Sequence, residues 1–115
     1  MRRLALAGLV GAVLGAAPAD AAPARLLVEA REFNFTLSRS QIKPGVAIIQ
    51  LANRGEDPHD LRLKRVGGKR RGTIPKTLPD EVGEWEGRLS KGRFRLICTI
   101  EGHEALGMRA TLRVR

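Results

Sequence analysis

Cys98-Thr99-Ile100-Glu101-Gly102-His103-Glu104-Ala105-Leu106-Gly107-Met108 joins two segments of clean alternation. Before it, Phe94, Leu96 and Cys98 fall on one face, with Arg93, Arg95 and Ile97 on the other. After it, Ala110, Leu112 and Val114 alternate with Arg109, Thr111, Arg113 and Arg115. A period of two is the mark of a half-buried strand. The eleven-residue segment is therefore a loop between two strands, and it carries a thiol, an imidazole and a thioether in the pattern C-x4-H-x4-M.

The same reading extends upstream. Leu26 to Leu37 reads as strand, with Phe33, Phe35 and Leu37 alternating against Asn34 and Thr36. Lys43-Pro44-Gly45 is a turn, and Val46 to Ala52 is nearly all apolar, as in a central strand covered on both faces. Asn53 to Pro58 is a loop, and His59 to Val66 returns to strand with His59, Leu61 and Leu63 facing one way. Gly67 to Pro79 reads mostly as loop; Trp85 to Leu89 is a short strand that turns at Ser90-Lys91-Gly92. No long 3.6-residue stripe follows the N-terminal segment. Short strands with frequent turns point to an all-β domain of about 6–8 strands, a β-sandwich or small barrel.

Residues 1–21 read as a secretory signal peptide. Arg2 and Arg3 precede the uncharged run Leu4 to Ala17, and Ala19-Asp20-Ala21 supplies a small-x-small cleavage pattern. The run is shorter than the roughly 20 apolar residues of a membrane span. The expected product is an exported, periplasmic or extracellular protein cut after Ala21, with residues 22–115 forming one domain. An uncleaved N-terminal anchor is the competing reading. The 94 residues that remain carry 19 basic and 11 acidic side chains, a net charge of +8. Aromatic residues are only 3% of the chain, so the core must be aliphatic, and base stacking by aromatics, as in many nucleic-acid readers, is not expected.

Cys98 is the only cysteine and His59 and His103 are the only histidines. Exported proteins usually pair their thiols, so a lone one is buried and inert, reserved for an intermolecular bond, or a metal ligand. Two His and one Cys with a weak axial Met form the coordination of a blue-copper electron-transfer site, whereas zinc gains little from a thioether. This points to one copper ion held by His59, Cys98, His103 and Met108, with His59 assigned partly by elimination. Cys98 and His103 could also be read as a catalytic thiol–imidazole pair, but no oxyanion donors accompany them, and an enzyme is not expected. Asp57, Glu101 and Glu104 read as solvated loop charges.

From about Leu26 to Arg115 the chain resembles the cupredoxins. The resemblance rests on the Pro44-Gly45 turn, Val46 to Gly55 (VAIIQLANRG), Pro58-His59-Asp60-Leu61, and the C…H…M loop before a terminal strand. The ligand spacing is similar to that of the rusticyanin and sulfocyanin branch. The resemblance implies a Greek-key β-sandwich and one-electron transfer by Cu(I)/Cu(II), with His103 near the surface as the electron port. Copper binding or buffering without a redox partner is the alternative; delivery usually wants an open, Met- or His-rich site, which this chain lacks. Two departures stand out. Asp60 replaces the Asn that often follows the first ligand His, and is expected to lie beside the site and tie the ligand loops together. The stretch Lys64 to Arg71 (KRVGGKRR) is far more basic than usual. It reads as a solvated face, or as a dock for an acidic redox protein or an anionic membrane surface. A monomer is expected.

Overall fold

The apolar positions of the first strand reverse phase partway along, and the fold explains why. In β1 (Ala24–Arg31) the buried residues are Leu26, Val28 and Ala30; in β2 (Asn34–Leu37) the buried residue is Phe35. Even numbers give way to odd because the chain turns at Glu32 and Phe33. The stretch Leu26 to Leu37 is thus two antiparallel strands rather than one, pairing Arg31 with Asn34 and Val28 with Leu37. The structure, a computed structural model, describes residues 22–115, and the signal-peptide reading of residues 1–21 lies outside the described residues.

The remaining elements are β3 (Gln41–Ile42), β4 (Gly45–Asn53), β5 (His59–Arg65), β6 (Arg70–Thr77), β7 (Val82–Leu89), β8 (Gly92–Ile97), the short helix α1 (His103–Leu106) and β9 (Arg109–Val114). The described residues thus hold nine strands, where the sequence suggests about six to eight. The split of the first strand and the two-residue β3 account for part of the difference. Gly72 and Pro75 hid β6, and they are tolerated there because β6 is an edge strand that need not pair on both sides.

Two mixed sheets face each other, one ordered β2-β1-β4-β7 and the other β3-β9-β8-β5-β6. The β1/β4 and β3/β9 pairs are parallel; the rest are antiparallel. The chain passes between sheets after β2, β3, β4, β6 and β7, giving a Greek-key sandwich. Its core is aliphatic: Leu26, Ile49, Leu51, Leu61, Leu63, Leu96 and Leu112 are buried around Phe94.

One pole of the sandwich collects the end of β4, the start of β5, the end of β8 and the start of β9. Those ends place Asn53, His59, Cys98 and Met108 near one another. The opposite pole holds the β5–β6 hairpin and the β7–β8 turn. There Val66 donates its N–H to the Arg93 carbonyl at 2.9 Å. Arg93 lies five residues before Cys98, about 17 Å along an extended strand. The basic hairpin is therefore remote from Cys98.

Asn53 braces the first pole. It is fully buried, and its Nδ2 donates to the carbonyls of Asp57 at 2.8 Å and Thr77 at 2.9 Å. Its Oδ1 accepts from the Gly55 N–H at 2.8 Å. These bonds fold the Arg54–Pro58 loop back on itself ahead of His59. An apolar replacement would leave buried groups unpaired, at about 1–3 kcal/mol each. Asn53→Leu is expected to lower unfolding stability by about 3 kcal/mol, read as a lower urea midpoint with an unchanged slope.

Candidate metal centre

His59 opens β5 with its side chain directed inward, and Cys98 follows β8 on the inward-facing parity of that strand. His103 begins α1, within the loop that returns the chain to β9. The Nδ1 of His103 lies 3.6 Å from Cys98 Sγ, and the Nδ1 of His59 lies 4.0 Å from it. One ligand atom from each residue lies within 4.8 Å of the other two. Cys98 and His59 are 0% exposed and His103 is 8% exposed.

These spacings suit a single ion. A nitrogen at about 2.0 Å and a sulfur at about 2.3 Å from one ion, about 120° apart, would stand about 3.7 Å from each other. The observed 3.6 and 4.0 Å bracket that value. Nitrogen and thiolate donors of this kind suit borderline and soft metals.

Met108 is fully buried and packs in the same core cluster as Cys98. Its backbone closes the loop: the Cys98 N–H donates to the Met108 carbonyl, and the Met108 N–H to the His103 carbonyl, both at 3.1 Å. Between them Gly107 has φ of 124° and the Phe33 carbonyl oxygen 3.0 Å from where a Cβ would stand. A larger residue there would be both strained and crowded.

Asp60 links the two ligand segments. Its Oδ1 accepts from the Thr99 N–H at 2.6 Å, and its Oδ2 accepts from the Thr99 hydroxyl. Burial pushes the Cys98 thiol above its ordinary value, while the backbone N–H groups of Asp60 and Ile100 act in the other direction by stabilising the thiolate.

Sequence reasoning missed Glu32. The β1–β2 turn carries its carboxylate to the outer edge of His59, where Oε2 lies 2.5 Å from Nε2. A carboxylate accepts, so Nε2 donates and the lone pair of Nδ1 is left facing Cys98. Glu32 also accepts from the Glu56 N–H at 2.7 Å and the Asp57 N–H at 3.3 Å. The Glu56 bond, together with His59, holds its carboxyl below the usual range against the opposing effect of burial. Gly55 makes room for it: a Cβ there would come within 2.1 Å of Glu32 Oε2. The phase reversal between Ala30 and Phe35 was the available signal, since it marks the turn that delivers Glu32.

His103 is held from three sides. Its Nε2 lies 3.6 Å from the Asp57 carboxylate. Phe33 meets its ring edge-on and His59 lies tilted against it, both at 5.1 Å between centroids. Leu106, further along α1, is 61% exposed.

This fold is that of the cupredoxins. Similar solved structures include a reduced auracyanin from the photosynthetic bacterium Roseiflexus castenholzii, at 13% identity and a TM-score of 0.68, covering 83% of this chain and 99% of that one. Auracyanin A, described as a "blue" copper protein from Chloroflexus aurantiacus, is 16% identical with a TM-score of 0.66, covering 82% and 100%. A reduced single-substitution variant of amicyanin is 18% identical with a TM-score of 0.58, covering 84% and 87%. No family model matches this sequence, and neither does any curated protein.

Hydrogen-bond partners that orient a ligating His typically contribute 10–100-fold to metal affinity. Glu32→Ala is expected to weaken metal binding by that factor, measured by competition with a chelator of known affinity. Gly55→Ala should move affinity in the same direction by displacing the carboxylate.

Proposed function

We propose that the protein is an exported one-copper electron carrier whose ion would be held by His59, Cys98, His103 and Met108. The observation that carries this reading is the buried His59–Cys98–His103 donor group, closed by the loop that ends in Met108. Copper in such a site supplies one-electron chemistry by cycling between Cu(I) and Cu(II). The protein's part is to hold the donors fixed and dry. Glu32 orients His59, Asp60 and Thr99 fasten the Cys98 segment, and the surrounding core keeps water from the sulfur. The most exposed of the four ligands is His103, which makes it the exit toward a partner. Near-complete burial of the donors disfavours metal delivery as the role.

The partner is a redox protein, and the net positive charge of residues 22–115 favours one with an acidic docking surface. Asp57, Glu101 and Glu104 flank His103, and the cations paired with the end of β8, Arg62 and Arg109, are those that would meet such a dock. Both are exposed, and Ile97, the last residue of β8, pairs with each of them. The Lys69–Arg71 part of the hairpin lies too far away to be the main dock, whereas Lys64 lines a depression with Ile97 and Glu104. Asp60, which ties the His59 segment to Thr99 beside Cys98, would when ionised favour the more positive oxidised state.

The Cu(II) protein is expected to show intense thiolate-to-copper absorption that Cys98→Ala abolishes; weak d–d bands alone would rule out this site. Met108→Leu should keep copper and colour but raise the reduction potential, and loss of copper in that variant would refute the reading of Met108 as a weak ligand. Electron-transfer rates with an acidic acceptor should fall as salt rises, with a shallower slope in an Arg62→Gln/Arg109→Gln variant. Equal slopes would remove the dock assigned to those two arginines.

A further inference from the structure

Charge is divided along the length of the sandwich. At the metal pole stand the exposed carboxylates of Glu101 and Glu104 and the part-exposed Asp57. The other pole is cationic. On the five-stranded sheet and its turns it presents Lys69, Arg70, Lys91, Arg93, Arg113 and Arg115, all exposed. Among the described residues none of these six takes part in an ion pair. Arg93 stands directly opposite Arg113 across the β8–β9 ladder. Like charges in that position destabilise a sheet, and the fold offers no carboxylate beside them. The outer face of the four-stranded sheet differs, for there Glu29 pairs with Arg54 and Glu84 accepts from Gln50.

We propose that this pole binds the headgroup surface of an anionic phospholipid bilayer. Four of the six cations are arginines, whose planar forks suit phosphate oxygens. Protein interfaces are built around buried apolar anchors. Of the exposed large apolar side chains, Leu106 and Leu78 lie at the metal pole and Val82 in the metal half, and only Val66 is near the cations. The far pole therefore suits a charged plane better than a protein patch. The described chain also begins here: Ala22 and Pro23 line a depression with Lys43, Pro44 and Gly45. The carboxylates of the opposite pole are repelled by the same bilayer, so the protein stands with its metal end outward. Bound this way, Arg62, Arg109 and His103 stay accessible.

The test is sedimentation of the full chain with vesicles of phosphatidylcholine alone or mixed with phosphatidylglycerol. Residues 1–21, with Arg2 and Arg3 ahead of the apolar run Leu4 to Ala17, are the same in the wild type and in the variants, so the loss on substitution reports the cationic pole. Binding to the mixed vesicles should be at least about tenfold tighter at low ionic strength and should weaken as salt shortens the Debye length. Lys91→Gln/Arg93→Gln/Arg113→Gln should lose most of that preference. Arg31→Gln/Arg54→Gln/Arg62→Gln, which removes the same charge near the metal pole, should keep it. Equal losses in the two variants would overturn the proposal, as would the absence of any preference for anionic vesicles. Binding to poly-glutamate without that preference would assign the pole to an acidic protein and would equally overturn it. Metal-free and metal-loaded protein should behave alike, so this result stands or falls separately from the copper reading.

Discussion

A carboxylate can accept a hydrogen bond from an imidazole N–H, and once it does so the other ring nitrogen has its lone pair free. The bond between Glu32 and His59 imposes that choice in a buried place where a wrong tautomer would turn an N–H toward the Cys98 sulfur. Much of the pole is arranged to make the bond available. The turn after β1 brings Glu32 to the site. Gly55 leaves the space its oxygens occupy, and the N–H groups of Glu56 and Asp57 hold the carboxylate where it is needed. Asn53 then fixes the loop that supplies those N–H groups. The donors are thus held in register by the protein itself.

Such preorganisation has a cost that the fold meets elsewhere. Thiol and imidazoles are all removed from water, in a domain whose single fully buried phenyl ring among the described residues is that of Phe94. Small domains bury a smaller share of their surface than large ones, so they have less apolar stabilisation to set against buried polar groups. Here each polar group at the pole is given a partner. The Asp60 carboxylate is taken up by Thr99, the outer nitrogen of His103 faces Asp57, and the sulfur faces backbone N–H groups. A metal that binds only the folded chain adds stability by mass action.

Both strands that flank the ligand loop were legible in the sequence, because β8 and β9 have one face in the core and one in solvent and therefore alternate without a break. The central strand β4 was legible for the opposite reason, being nearly apolar throughout. The grouping of Cys98 with His103 followed from their spacing on one loop, and the position of His59 from its place at the head of an alternating strand. Glu32 was not legible, since it lies 27 residues before its partner and in sequence is one acid among eleven in residues 22–115. Only the turn between β1 and β2 gives it a role. Strand β6 was obscured for a related reason: residue type reports local preference, whereas tolerance of Gly72 and Pro75 depends on whether a neighbour is present on each side, which is decided by the whole sheet.

The ligand loop is closed at its neck by the bond from the Cys98 N–H to the Met108 carbonyl, and below that neck β8 and β9 run as an unbroken antiparallel ladder from Ile97 and Arg109 to Gly92 and Val114. The segment between them is topologically a lariat on a finished stem. Residues could be inserted or deleted inside it without shifting the register of any strand. Selection could therefore vary the loop's length and composition, and with them the electronic character of the site, while the sandwich beneath is inherited intact. In this sense the metal pole is a cassette, and the stem sets the limits within which it can be exchanged.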